Sequence, residues 1–245
     1  MRVPRCYTSQ PLKPGALISL EEAPAHHLRQ VLRLRPGNPI ILFDNSGNEY
    51  AANLAQVSKQ EVKAQLAEQL RREAEAALSI HLLIGISRGE RMDLAIQKAT
   101  ELGVTQITPL LTNRCVVKLD EKKRRNRMTH WQRVMVSACE QSDRCRLPQL
   151  DEPLQITTAL SQPNPELGLL LDLEGQQNLV QIAQPTSSVS ILVGPEGGLT
   201  PDERELAKQK GFTGVRLGPR VLRTETAPLA AIAAVQTLWG DFNDG

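Results

Sequence analysis

Residues 189 to 226 read VSILVGPEGGLTPDERELAKQKGFTGVRLGPRVLRTET. Two short apolar runs, Val189 to Val193 and Val215 to Leu217, each end in glycine and open a Gly/Pro-rich loop, Gly194 to Gly198 and Gly218 to Arg220. Loops at the carboxyl ends of buried parallel strands are where open α/β sheets bind ligands. Glycine there lets backbone approach a ligand closely. Two such loops one α-β unit apart predict a single site built mostly from main chain. Thr200-Pro201-Asp202-Glu203 is a helix start, with Thr200 as cap, proline in the first turn and Glu203 completing a capping box. That helix runs to about Lys210, where Gly211 stops it.

Outward from this stretch the pattern stays α/β. The apolar run Ser79 to Ile86 predicts a strand, followed by a helix over Met92 to Leu102 with Gly103 just past its end, then a strand within Val104 to Leu111. This order predicts a parallel pair. The basic run Lys122, Lys123, Arg124, Arg125 and Arg127 reads either as a phosphate-binding surface or as a solvated helix start, and the helix continues through Trp131, Val134, Met135 and Ala138. Leu167 to Leu173 lacks polar alternation and reads as a central buried strand. Thr226 to Trp239 is apolar on most sides and reads as a deeply packed helix with Pro228 in its first turn. Residues 1–74 instead suggest a small β-barrel: strands at Leu17 to Leu20, Pro39 to Asp44, Tyr50 to Val57 and Glu61 to Leu70, with a turn at Asp44 to Asn48 and one short helix over His26 to Arg33. The polar stretch 70–77 reads as the connection, so the division expected is 1–74 and 75–245.

Charge is unevenly placed. Residues 1–150 carry 23 Lys/Arg against 15 Asp/Glu, a net +8, and residues 151–245 carry 6 against 12, a net −6. A basic front half fits a polyanionic partner. Aromatics make up only 3% of the chain, which limits base stacking as a recognition device. Cys6, Cys115, Cys139 and Cys145 form no metal-binding spacing with the histidines, so no metal site is expected. No apolar run reaches transmembrane length, and a cytoplasmic protein is expected. Nucleotide-binding phosphate loops, the dinucleotide fingerprint, the serine-hydrolase elbow and zinc-protease motifs are all missing. What remains is a glycine-rich, weakly cationic pocket suited to a small polar ligand with an adenine ring.

Five segments carry a family resemblance: GPEGG (194–198), LGPRVLRTETA (217–227), QKATELGV (97–104), EQSDR (140–144) and HHLRQVLR (26–33). In this order they resemble the ribosomal RNA small-subunit methyltransferase E family of the SPOUT superfamily. The resemblance implies a parallel sheet flanked by helices with a C-terminal deep trefoil knot, behind an N-terminal PUA-like barrel that binds RNA. It implies S-adenosylmethionine-dependent methylation of N3 of a uridine in the decoding region of bacterial 16S ribosomal RNA. It also implies a homodimer.

By position, Leu171, Gly194, Pro195, Glu196, Gly197, Gly198, Leu217, Gly218, Val221, Leu222 and Thr226 would hold the cofactor, with Thr226 also capping the last helix. Arg223 is placed to stabilise negative charge on a uracil carbonyl oxygen, and Glu196 or Glu225 to accept the imide proton; for Glu225, a helix-capping role stands as the alternative. Arg2, Arg5, Arg29, Arg33 and Arg88 would meet RNA. Many family members carry lysine where this chain has Arg88 and alanine where it has Pro228. Two other readings compete: a ribose 2′-O-methyltransferase of the same superfamily, and a non-catalytic RNA-binding assembly factor.

Overall fold

The computed structural model describes residues 3–72, 76, 78–117, 120–163 and 166–243, without the side chains of Arg72 and Asn243. The chain forms two compact units, Met1–Glu75 together with Cys139–Leu147, and Ala76–Ala138 together with Pro148–Gly245. A sequential division at 74/75, itself outside the described residues, does not include the return of 139–147 to the first unit.

In the first unit β1 (Arg5–Tyr7), β2 (Leu17–Ser19), α1 (Glu22–His26), β3 (Pro39–Phe43), β4 (Asn48–Val57) and β5 (Val62–Arg72) follow in order. The sheet order is β1-β3-β4-β5-β2, with β1 parallel to β3 and the other pairs antiparallel. The turn between β3 and β4 needs left-handed backbone at Asn45 (φ 70°) and Gly47 (φ 88°). Alternate residues of the long strands, Ile40 and Leu42, Ala52 and Leu54, Val62, Ala64 and Leu66, are buried in one core with Cys6, Leu20 and Leu28. All five strands thus turn one face to a common interior, as a small barrel does. β1 was not legible, being three residues without alternation.

The helix expected over 26–33 differs in detail. α1 starts four residues earlier and continues as a π-helical turn, His27–Val31, and two residues beyond it Arg33 takes a left-handed conformation (φ 53°). Widening the turn takes the apolar stripe out of register: Leu28 is buried, whereas Val31 and Leu32 are exposed.

Arg5 is a buried structural residue and does not present its charge to RNA. Its side chain is 3% exposed, pairs with Glu49 at 2.9 Å and Asp143 at 3.4 Å, and donates to the carbonyls of Cys139, Glu140 and Arg144. The guanidinium also stacks 4.9 Å from the Phe43 ring centroid, beside the buried thiols Cys139 and Cys145. Removing it leaves the buried Glu49 carboxylate with the half-exposed Arg71, at 3.5 Å, as its cationic partner. Arg5→Met is expected to cost about 3–5 kcal/mol of stability in denaturant titration, while leaving the salt dependence of RNA binding by the folded protein unchanged. Arg2 lies outside the described residues.

The second unit contains β6 (Ser79–Gly85), α2 (Glu90–Glu101), β7 (Gln106–Leu111), α3 (Glu121–Ser142), β8 (Gln149–Leu150), β9 (Leu154–Gln155), α4 (Ile156–Ala159), β10 (Leu167–Leu171), β11 (Ser188–Val193), α5 (Pro201–Gln209), β12 (Phe212–Val215) and α6 (Thr226–Trp239), α3 running on into the 139–147 segment of the first unit. Its seven strands are all parallel, in the order β12-β10-β11-β6-β7-β8 with β9 also on β7. β10, β11, β6 and β7 are buried through their centres, as their predominantly apolar sequences require. Trp131, Met135 and Ala138 put one stripe of α3 into the interior.

Two expectations shift here. The last strand is Phe212–Val215, and Leu217 lies in the loop beyond it, because the pairing with β10 ends at Leu171–Val215. α6 buries one face, Pro228, Ala231, Ile232, Val235 and Gln236, and not its whole circumference. Gln236 is the polar member of that face, and its amide donates to Leu102 O at 2.9 Å beyond the end of α2.

Candidate active site

The carboxyl ends of β10, β11 and β12 lie side by side and open into one cavity of about 700 Å³. That falls in the range of small-molecule and cofactor pockets, roughly 300–1,000 Å³. Its walls are the three strand ends at Leu171, Val193 and Val215 and the loops that follow them. The structure brings Leu171, Gly194 to Gly198, Leu217, Val221, Leu222, Arg223 and Glu225 to this cavity.

Gly218 and Thr226 are not in its walls. Gly218 forms a left-handed turn (φ 73°) whose carbonyl accepts from Arg216 Nε. Thr226 is the exposed first residue of α6, with its N–H on Arg223 O. It does not cap the helix; the capping position is Glu225, whose side chain makes no cap bond either.

The glycine loop is held from several sides. Gly198 closes a turn onto Pro195 O at φ 67°, and a Cβ at this position would point into open space, leaving bare backbone toward the cavity. Arg114 Nη1 donates to Gly197 O at 3.0 Å. Thr200 and Glu203 form the expected capping box, and the buried Glu203 also accepts the N–H of Asn113 at 2.7 Å, fixing the loop that carries Arg114.

The two candidate bases differ sharply. Glu196 accepts the N–H of Arg88 at 2.9 Å and lies 3.3 Å from Arg91 Nη1. Partial burial pushes its pKa up, but the Arg88 N–H, its own backbone and Arg91 outweigh this and hold the carboxyl below its ordinary range. It is a weakened proton acceptor already engaged as a brace. Glu225 has a side chain 12% exposed, its Oε1 lies 3.9 Å from Arg223 Nη1, and its Oε2 is buried without a hydrogen-bond partner. A buried carboxylate oxygen left open is costly and calls for a donor. Arg223 itself is 80% exposed, free to reach a bound group.

Several wall residues went unread in the sequence. Asp172, 8% exposed directly after β10, takes the Glu174 N–H and Arg204. Arg91 and Arg114 also line the cavity, adding cations that Asp172, Glu174, Glu196 and Glu225 in the same walls largely balance. The available signal was position for Asp172 and Arg114, which follow the carboxyl ends of apolar strands; Arg91 on α2 and Arg204 on α5 carried none.

Of the RNA candidates, Arg29 is largely occupied, donating to Ser58 O and Lys59 O at 2.9 and 3.0 Å and pairing with Glu22. Arg33 and Arg88 are exposed. Among the described residues no cluster of His, Cys, Asp and Glu could hold a metal, and no helix is long and apolar enough to cross a membrane.

A glycine-walled cavity across three parallel strand ends, in a chain that begins with a small β-unit, is the arrangement of an RNA methyltransferase. Residues 74–236 match the family described as the RNA methyltransferase domain, and residues 20–67 match the RNA methyltransferase PUA domain. The ribosomal RNA small subunit methyltransferase E of Buchnera aphidicola from Acyrthosiphon pisum is 31% identical, over 98% of this chain and 96% of that one. The Bacillus subtilis protein of the same name is 33% identical, over 93% of each. The chain belongs to the ribosomal RNA small subunit methyltransferase E family. Among solved structures, the Neisseria gonorrhoeae member bound to S-adenosyl methionine shares 40% identity with a TM-score of 0.91, over 98% of this chain and 100% of that one. A Legionella pneumophila methyltransferase in complex with the same cofactor shares 37% with a TM-score of 0.95, again over 98% and 100%.

Proposed function

We propose that this protein methylates N3 of a uridine in small-subunit ribosomal RNA, using S-adenosylmethionine. The observation that carries the reading is the cavity at the ends of β10, β11 and β12, with bare glycine backbone on one wall and the unpartnered Glu225 oxygen on another. Its size and its main-chain polar groups fit the cofactor. Leu171, the 194–198 loop, Leu217, Val221 and Leu222 would hold it. S-adenosylmethionine supplies a methyl group already activated by its sulfonium.

The chain's own contribution is alignment and proton handling. N3 of uridine must lose a proton as it gains a carbon substituent, and Glu225 Oε2 is the acceptor we assign. The Arg223 guanidinium stabilises charge developing on a uracil carbonyl oxygen. Glu196 braces the glycine loop. We assign RNA docking to the first unit, residues 1–75 with 139–147, with Arg33 as a contact there, and methyl transfer to the second, with Arg88 at the RNA side. The same reading carries a trefoil-knotted path through the loop before α6, a homodimer, and a place of work in the cytoplasm with the ribosome.

Mass spectrometry of small-subunit RNA from cells with and without the protein tests the proposal. A single base-methylated uridine should be lost, with the adjacent phosphodiester still open to cleavage through its 2′-hydroxyl. A lost 2′-O-methyl group would instead identify a ribose methyltransferase. Unchanged RNA, with no cofactor binding by calorimetry, would identify an assembly factor.

A further inference from the structure

The segment that carries Arg223 and Glu225 is thinly anchored. Val221 is 78% exposed and the Arg223 side chain 80%. At its end, the N–H groups of Thr226 and Ala227 both bond Arg223 O. Thr224 stands between the two charged wall residues. Its hydroxyl donates to Gly194 O at 3.0 Å, the first residue of the glycine loop. The same oxygen lies 3.3 Å from Oγ of Ser87, a buried residue two positions past the end of β6. Each hydroxyl has one proton to donate. Thr224 directs its proton to Gly194, so Ser87 donates to Thr224, at a shorter distance than its other acceptor, Gly85 O at 3.5 Å. Two consecutive bonds therefore tie together the loops after β6, β11 and β12.

We infer that Thr224 is a positioning residue: its hydroxyl, backed by Ser87, fixes the segment 223–225 against the glycine loop and so sets the aim of Arg223 and Glu225 at the substrate. This rests on the methyltransferase reading above. A group acting through position affects turnover more than binding, because small displacements of reacting groups are costly in rate.

The test compares Thr224→Val, which keeps the shape and loses the hydroxyl, with Thr224→Ser, which keeps the hydroxyl. Small-subunit RNA methylation gives kcat and KM, calorimetry gives the S-adenosylmethionine Kd, and amide hydrogen exchange follows peptide 217–226. Thr224→Val should lower kcat about 10- to 100-fold, leave KM and Kd within about threefold, and raise exchange in that peptide. Thr224→Ser should stay within about threefold of wild type on every measure. A Thr224→Val enzyme with wild-type kcat, a Thr224→Ser enzyme as slow as Thr224→Val, or a loss of cofactor affinity matching the loss of kcat would each overturn the inference. If Thr224→Val does not fold, Ser87→Ala decides: slower turnover with unchanged Kd supports the tether, and wild-type turnover overturns it. Should wild type itself fail to methylate the RNA, the functional reading fails; the exchange comparison still judges the tether, faster exchange in Thr224→Val alone supporting it and equal exchange in all three proteins overturning it.

Discussion

Glu225→Gln is expected to lower kcat about 10²- to 10⁴-fold, the range for loss of a positioned general base, with the cofactor Kd within about threefold of wild type. The amide has almost the shape of the carboxylate, so packing at the head of α6 is kept. What changes is the capacity to accept a proton at Oε2, the oxygen that is enclosed and unpartnered. Glu196→Gln makes the informative comparison. Its carboxylate is already occupied by the Arg88 N–H and Arg91, so its loss should loosen the glycine loop and weaken cofactor binding more than it slows the chemical step. Both are read from single-turnover methylation at saturating cofactor, with calorimetry alongside. Wild-type turnover in both variants would remove base catalysis by Glu196 and Glu225.

Gly85→Ala carries the second large effect. Gly85 ends β6, and a Cβ there would lie 2.4 Å from Pro195 N and 2.9 Å from the carbonyl carbon of Gly194. Both are backbone atoms of the cavity wall, so no side-chain rotation relieves the clash. The glycine loop must move away from the sheet. Overpacking of this kind costs about 2 kcal/mol. If that cost falls on the ligand-ready loop, the Kd for S-adenosylmethionine rises about 30-fold. A calorimetric titration checks this, and an affinity equal to wild type would show that the loop is not the cofactor wall.

How much of this was legible in the sequence depended on the range of the interactions. Segments with predominantly apolar runs or strong local punctuation, such as β6, β11 and α5 with its Thr200–Glu203 capping box, stood near where the residues indicated. The two glycine loops pointed to one site because each follows a strand, and β10 between those strands brings the loops to one cavity. Arg5 was misread for the opposite reason. A basic N-terminus looks like a polyanion contact, whereas the partners that bury Arg5 lie 44 residues away at Glu49 and 134 or more away at Cys139 and beyond. Nothing local marks such a pairing. Asp172 and Arg204 were missed likewise, since the ion pair spans 32 residues and forms only once α5 has packed beside β10. Thr226 was assigned a cap by position, but α6 begins at Thr226 itself, so the capping position falls one residue earlier, on Glu225.

The return of residues 139–147 to the first unit bears on how this protein can be taken apart. Phe43 of β3 shares its cluster with Cys139 and Cys145, and Arg5 and Arg71 both reach the segment from Cys139 to Cys145. The N-terminal unit is therefore discontinuous in sequence, completed by an insertion in the middle of the catalytic one. Exchanging N-terminal modules between relatives by a single crossover after residue 75 would mate a new barrel to the old insertion, leaving a foreign surface around Cys139 and Cys145. Recombination, whether in evolution or at the bench, has to move two separate stretches of chain at once for the module to arrive whole.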